Sequence, residues 1–171
     1  PHPNVYRLPK FLVGPNISII RVMPNTPTLI GLGMAAISLG KSVNTEQAKF
    51  VSEFLATCGK VISIEENLQD AVTALSGSGP AYFFAFVEAM VAGAKELGLS
   101  QEDATTLTIQ TIVGAAKLLD ESGKSATTLR ENVTSPNGTT AAALASFGAS
   151  DLNSMVAKAM KAASDRSQEL A

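Results

Sequence analysis

Tryptophan is absent from this sequence, cysteine and histidine occur once each as Cys58 and His2, and aromatic residues make up only 5% of the chain. A single cysteine excludes an internal disulfide and a cysteine-built zinc site, and it suits a reducing compartment, so the cytoplasm is the expected address. His2 sits between prolines at the start of the sequence. It reads as a solvated bystander, which leaves no Ser-His-Asp set to assemble. No cluster with metal-ligand spacing and no paired-carboxylate signature stands out, so no metal site is expected. Charge of one sign is also missing: the formal net charge is -2, without long runs. A polyanion would find no basic footprint, and nucleic acid is not an expected partner. There is no run of about 18 apolar residues to span a membrane, and Pro1 to Lys10 lacks the apolar centre of a signal peptide.

What the sequence does have is small apolar side chains. Of its 171 residues 46% are hydrophobic, with few aromatics among them, so Ala, Leu, Val and Ile must supply the packing. That length suits one sizeable domain, or a small domain carrying part of another. Residues 1–15 contain four prolines and follow no helical or strand period, which predicts an irregular lead-in. From Asn16 to Val22 the β-branched run NISIIRV predicts a short buried strand, stopped by Pro24 and Pro27. Gly33 to Gly40 predicts a second strand. A helix follows from Asn44, with Thr45 as its cap and Ala48, Val51, Phe54 and Leu55 on one face, and KVISIEE predicts a third strand. Strand, strand, helix, strand is material that finishes an α/β domain, and this part is expected to span residues 16–65.

Beyond Glu66 the periodicity is helical to the end, which places an all-helical domain at residues 66–171. Leu68, Val72 and Leu75 are expected on one face of its first helix. Pro80 opens a second, closed by Gly98. Ser100 caps a third, whose apolar face holds Ala104, Leu107, Ile112, Ala115, Leu118 and Leu119. A short helix runs from Ala126 to Asn132, another from Thr140 to Phe147, and a long one from Asp151 with Leu152, Met155, Val156, Ala159 and Met160 inward. Tyr82, Phe83, Phe84 and Phe86 cannot all face one side of the second helix. That helix is either shared with a second copy of the chain, the expectation here, or central within one subunit.

Three segments stand out as places for chemistry. Leu75-Ser76-Gly77-Ser78-Gly79-Pro80-Ala81 is a glycine-rich junction between helices. It lacks the Lys-Ser/Thr ending of a P-loop and does not follow a strand, so it reads as a close helix junction or as backbone that approaches a ligand. Asn132 to Thr140 gathers hydroxyls and turn formers just before a helix. It reads equally as a carboxylate site on backbone amides at a positive helix end and as a plain capping turn. Val22 to Pro27 leaves a strand end, where open α/β sheets bind their ligands, and reads as a cofactor border or as a structural turn.

RVMPNTP at Arg21 to Pro27, DAVTALSGSGPAY at Asp70 to Tyr82 and LRENVTSPNGTTAAAL at Leu129 to Leu144, in this order, resemble the pyrroline-5-carboxylate reductase family. The likeness covers roughly residues 16 to 171, and the third segment overlaps the family's signature. The resemblance implies a mainly α chain: the end of a Rossmann-type nucleotide-binding domain, then a helical dimerisation and substrate-binding domain. It implies NADPH or NADH as cofactor and an enzyme of proline biosynthesis, in which hydride passes to the imine carbon of 1-pyrroline-5-carboxylate to give L-proline. It implies a homodimer or higher homo-oligomer with the substrate site at the interface. No GxGxxG turn is present, so the sequence is expected to be a partial form of such an enzyme, inactive alone. The family places substrate against Asn132, Val133, Ser135, Pro136, Gly138, Thr139 and Thr140, with the Thr140 hydroxyl on the ring nitrogen. Val22, Met23, Asn25 and Thr26 would border the nicotinamide. The 3-hydroxyacid dehydrogenases share the architecture but resemble a pattern with Lys and Asn where Phe83 and Val87 stand here. The alternative from another class is a non-catalytic dimerising helical module.

Overall fold

The computed structural model describes residues 17–170, so the lead-in and His2 lie outside the described residues. Contacts divide the chain into two units, one up to Tyr82 and resuming at Ala157, the other from Phe83 to Val156.

The first unit is built on a three-stranded sheet in the order β1 (Ile20–Met23), β2 (Gly33–Leu39), β3 (Gly59–Ser63). β2 is central and apolar over most of its length, with Ala35, Ala36 and Ile37 buried. A strand covered on both faces needs such a continuous run. β1 pairs antiparallel to β2, with Met23 opposite Ala36, and β3 pairs parallel to it, with Gly33 opposite Gly59. The parallel pair requires a crossover, supplied by helix α1 (Thr45–Ala56). Gly59 has a φ of 151° and its Cα faces Gly33 so closely that an added Cβ would strike the Gly33 backbone.

Two sequence expectations need correcting here. Within the described residues the first strand covers Ile20–Met23, shorter than the Asn16–Val22 run, and only Met23 of it is buried, because among these residues it pairs with β2 alone. The cap of α1 is Asn44, not Thr45: its side chain accepts from the Gln47 amide at 2.9 Å while Gln47 Oε1 accepts from the Asn44 amide at 3.0 Å. This reciprocal box satisfies two of the donors that a helix start leaves open.

Met23, Ala36 and Val72 form the buried cluster, with Ile64 packed against it. Val72 belongs to a short α2 (Gln69–Val72) that runs into a π-turn, Thr73–Gly77, closed by Ser78 N–H donating to Thr73 O at 2.8 Å. The extra residue in that turn rotates everything after it. Leu68, Val72 and Leu75 are not buried together: Val72 is buried, while Leu75 within the π-turn is 65% exposed and Leu68, in the 3₁₀ turn before α2, is exposed too. Gln69 is fully buried and donates to Ser38 Oγ at 2.6 Å, and Ser38 Oγ in turn donates to the Ile64 carbonyl at 2.8 Å. Arg21, opposite Ser38 in the ladder, pairs with Glu66 at 2.6 Å. Later in the chain, Ser167 Oγ donates to Asp70 Oδ1 at 2.7 Å, which ties the end of α7 (Leu152–Glu169) to α2.

The second unit is helical. It holds most of α3 (Gly79–Glu96), then α4 (Gln101–Glu121), α5 (Ala126–Asn132), α6 (Thr139–Ala149) and the start of α7. Gly98, with φ 98°, closes α3, and Ser100 caps α4 by accepting from the Asp103 amide at 3.0 Å. Ala104, Thr108 and Val91 are its buried side chains. Leu107 is 56% exposed, Leu118 and Leu119 are exposed too, and so are Phe83, Phe84, Met155 and Val156. The expected apolar faces of α4 and α7 exist as periodic stripes, but this unit by itself leaves them largely uncovered.

Candidate functional site

The segment after α5 is shaped by local hydrogen bonds. Ser125 caps α5 by accepting from the Thr128 amide at 3.1 Å, and the helix ends where Thr134 Oγ1 donates to the Arg130 carbonyl at 2.6 Å. A tight turn follows. Gly138 N–H donates to Ser135 O at 3.0 Å, with Pro136 at the second place and Asn137 at the third, and Asn137 carries a φ of 59°. Proline fixes its own φ and asparagine tolerates the left-handed region, which is why Ser-Pro-Asn-Gly makes this turn. An added Cβ on Gly138 would meet Ser135 Oγ, so the glycine lets the turn close on itself.

Gly138 is also the N-cap of α6, and no side chain caps that helix. The amides of the first turn, Thr139, Thr140 and Ala141, therefore have no side-chain acceptor at the positive end of an 11-residue helix. Thr140 is half-buried, while Asn132, Val133, Ser135, Pro136 and Thr139 are exposed. Of the seven residues expected to hold substrate, five surround this helix start: Ser135, Pro136, Gly138, Thr139 and Thr140. Asn132 and Val133 lie one turn earlier, at the end of α5. A cleft of about 440 Å³ opens between the end of α5 and the α6–α7 connection, lined by Arg130, Glu131, Thr134, Phe147 and Asp151.

In the first unit the strand-end turn and the glycine-rich junction come together. The β1–β2 ladder ends at Met23, just before Pro24. The next pair along the same register joins Asn25 and Met34, and there the Asn25 side chain accepts from the Met34 amide at 2.8 Å. Its Nδ2 donates to Ser76 Oγ at 3.3 Å. A 3₁₀ helix, Thr26–Ile30, follows and ends at Gly31 with φ 75°. Val22 is half-buried, Met23 lies in the core, and Thr26 is exposed. Gly77 stands beside Met23, its added Cβ 3.6 Å from Sδ, and Tyr82 Oη donates to the Ala74 carbonyl at 3.0 Å across the π-turn. Met34 was not singled out by the sequence, and Ser76 stood out only as part of the glycine-rich junction. The Met34 amide needs the side-chain acceptor because the Asn25 backbone carbonyl accepts from the Thr28 amide instead.

Among the described residues no group of three His, Cys, Asp or Glu could hold a metal ion, and no helix is long and apolar enough to cross a membrane.

Residues 66–170 match the family model for pyrroline-5-carboxylate reductase dimerisation. The chain is 44% identical over 154 residues to the pyrroline-5-carboxylate reductase of Pseudomonas aeruginosa, covering 90% of this chain and 56% of that protein. It is 42% identical to that of Corynebacterium melassecola, of which it covers 57%. Among solved structures, a pyrroline-5-carboxylate reductase from Coxiella burnetii superposes with a TM-score of 0.91 at 37% identity, covering 95% of this chain and 60% of that one. A Plasmodium falciparum pyrroline carboxylate reductase with NADP bound gives 0.89 at 35% identity, covering 98% and 67%. The chain thus spans a little over half the length of the curated relatives it matches. A mainly helical chain with a small sheet, a family model over most of its helices and this degree of likeness on both sides lead to one conclusion: the chain belongs to the pyrroline-5-carboxylate reductase family.

Proposed function

We propose that this chain supplies the substrate-binding and dimerising part of an NAD(P)H-dependent reductase that converts 1-pyrroline-5-carboxylate to L-proline in the cytoplasm. The observation that carries this reading is the uncapped start of α6, where the amides of Thr139, Thr140 and Ala141 have no side-chain acceptor. A carboxylate is the ligand such a helix end accepts best, and no arginine is required. The Ser135-to-Gly138 turn walls the carboxylate, Asn132 and Val133 flank it, and the Thr140 hydroxyl bonds the ring nitrogen. Thr140 is thereby the residue assigned to catalysis. Little else is asked of side chains, because the imine is readily protonated and positioning supplies much of the rate.

NADPH or NADH furnishes the hydride. Val22, Met23, Asn25 and Thr26 fit its nicotinamide end because their turn leaves the carboxyl end of β1 with Thr26 exposed. In domain terms, residues 16–65 close the nucleotide-binding domain and residues 66–171 form the helical one. The exposed apolar stripes of α3 and α4 support assembly as a homodimer or a larger homo-oligomer. The alternative, a dimerising helical module without catalysis, draws on the same stripes and differs only in leaving the α6 start empty.

Titration of the chain with L-proline separates the two. Binding is expected, and Thr140→Ala is expected to weaken it about 3- to 10-fold, the worth of one neutral hydrogen bond. Proline density away from Ser135–Thr140 in a soaked crystal refutes the site. The reaction is tested by NAD(P)H oxidation with pyrroline-5-carboxylate, using this chain joined to the amino-terminal part of the Pseudomonas aeruginosa relative. A fusion that holds cofactor and stays inactive refutes the reductase reading.

A further inference from the structure

We propose that Asn25 and Ser76 act as a positioning pair that sets the Met23–Thr26 turn against the π-turn at Thr73–Gly77. In this role the Asn25 carboxamide serves the protein rather than a ligand. The two segments are 51 residues apart in sequence and have no ladder between them. Beside the packing of Gly77 on Met23, the hydrogen bond between them comes from one side chain with both ends engaged: Asn25 Oδ1 takes the Met34 amide at 2.8 Å, and Asn25 Nδ2 reaches Ser76 Oγ at 3.3 Å.

The first contact repairs a defect that the sequence itself creates. The register that sets Met23 opposite Ala36 puts Pro24 opposite Ala35 and Asn25 opposite Met34. The ladder ends at Met23, and the Asn25 backbone carbonyl is diverted to the Thr28 amide at the start of the 3₁₀ helix. The side-chain oxygen then takes the place that the backbone oxygen has left. A leucine at this position would make neither contact, whereas an aspartate could keep both by accepting from the Met34 amide and from the Ser76 hydroxyl.

The second contact gives the serine of the glycine-rich junction a role. Neither Gly77 nor Gly79 has a positive φ, and an added Cβ on Gly79 would meet nothing within 4 Å. Backbone strain therefore does not explain the motif, whereas the π-turn does place Ser76 Oγ toward Asn25 and Gly77 beside Met23. At 3.3 Å the bond is long for its type, so its loss should move the turn without unfolding the unit. A small displacement matters where a turn borders a reacting group. That functional meaning rests on the nicotinamide reading of this turn given above.

Amide hydrogen exchange on the whole 171-residue chain tests the pair, because it reads local opening residue by residue. Ser76→Ala is expected to speed exchange at Met34 by roughly 3- to 10-fold, the effect of one neutral hydrogen bond, with the global melting temperature unchanged. Ser76→Thr, which keeps the hydroxyl, should restore the slow rate, and Asn25→Leu should speed Met34 more than Ser76→Ala does. Unchanged exchange at Met34 in Ser76→Ala, or a Ser76→Thr variant as fast as Ser76→Ala, overturns the proposal. A parallel run with NADPH, on this chain joined to the amino-terminal part of the Pseudomonas aeruginosa relative, keeps the two readings apart. Slower exchange at Met23, Asn25 and Thr26 in the unaltered fusion, needing several-fold more NADPH in its Ser76→Ala form, supports the pair as a device for cofactor placement. If the fusion holds NADPH and exchange at this turn is untouched, the nicotinamide reading of the turn fails, and the pair is decided by the Ser76 variants alone.

Discussion

Replacing Gly59 by alanine should break the first unit, and Gly31→Ala provides the comparison that isolates the reason. Both glycines have positive φ, 75° at Gly31 and 151° at Gly59, but an added Cβ at Gly31 meets nothing within 4 Å. Gly31→Ala therefore measures the backbone cost alone, about 1–2 kcal/mol for an L-residue in the left-handed region. Gly59→Ala incurs a similar cost, about 1–3 kcal/mol in a region nearly reserved to glycine. It also drives a methyl group into the Gly33 backbone on the neighbouring strand. Backbone cannot rotate aside as a side chain can, so overpacking adds roughly 1–3 kcal/mol, for a total of about 2–6 kcal/mol. Against a typical domain stability of about 5–15 kcal/mol, that is a large fraction. Urea unfolding followed by circular dichroism gives both values if the slopes agree. A Gly59→Ala variant no less stable than Gly31→Ala would refute the close approach of β2 and β3 at this point.

Two further outcomes follow from the caps and the faces. Asn44→Ala should lower stability by about 1 kcal/mol, because it removes the side chain that accepts from Gln47 and frees the Gln47 amide group; Thr45→Ala should cost less, and a reversed order in thermal melts would contradict the capping box. Phe84→Asp, on an exposed face of α3, should convert the assembled protein to monomers in sedimentation velocity runs, whereas an unchanged sedimentation coefficient would show that this face is not the one covered.

Elements whose ends are set by local chemistry were legible from the sequence. Ser100 caps α4 as its hydroxyl and the following acidic pair suggest, and α5 runs from Ala126 to Asn132 as read from the pattern. Phase was harder to read. Leu68, Val72 and Leu75 fit a helical stripe until the π-turn inserts a residue, and no composition rule marks where a helix widens. β1 was read too long because β-branched residues describe a strand's preference and say nothing of how far its neighbour extends. The stripe on α4 was read correctly as periodic, but Leu107 lies 56% exposed, since periodicity shows that a face is apolar and not what covers it. At the candidate site, Ser-Pro-Asn-Gly gave the turn before α6 through known preferences. The pairing of Ser76 with Asn25 stayed hidden because it joins residues 51 positions apart.

The bond between Ser167 and Asp70 has a consequence for the order in which this protein is made. It closes a span of 97 residues, which costs roughly 4 kcal/mol of chain entropy from the logarithmic dependence on loop length. All of the second unit, Phe83 to Val156, is translated between the two parts of the first. At about 5–20 residues per second, the ribosome leaves the sheet and α2 waiting on the order of ten seconds for the helix that completes them. During that interval Asp70 lacks its Ser167 partner, and the nascent chain is at its most exposed to chaperones and to premature pairing with another copy.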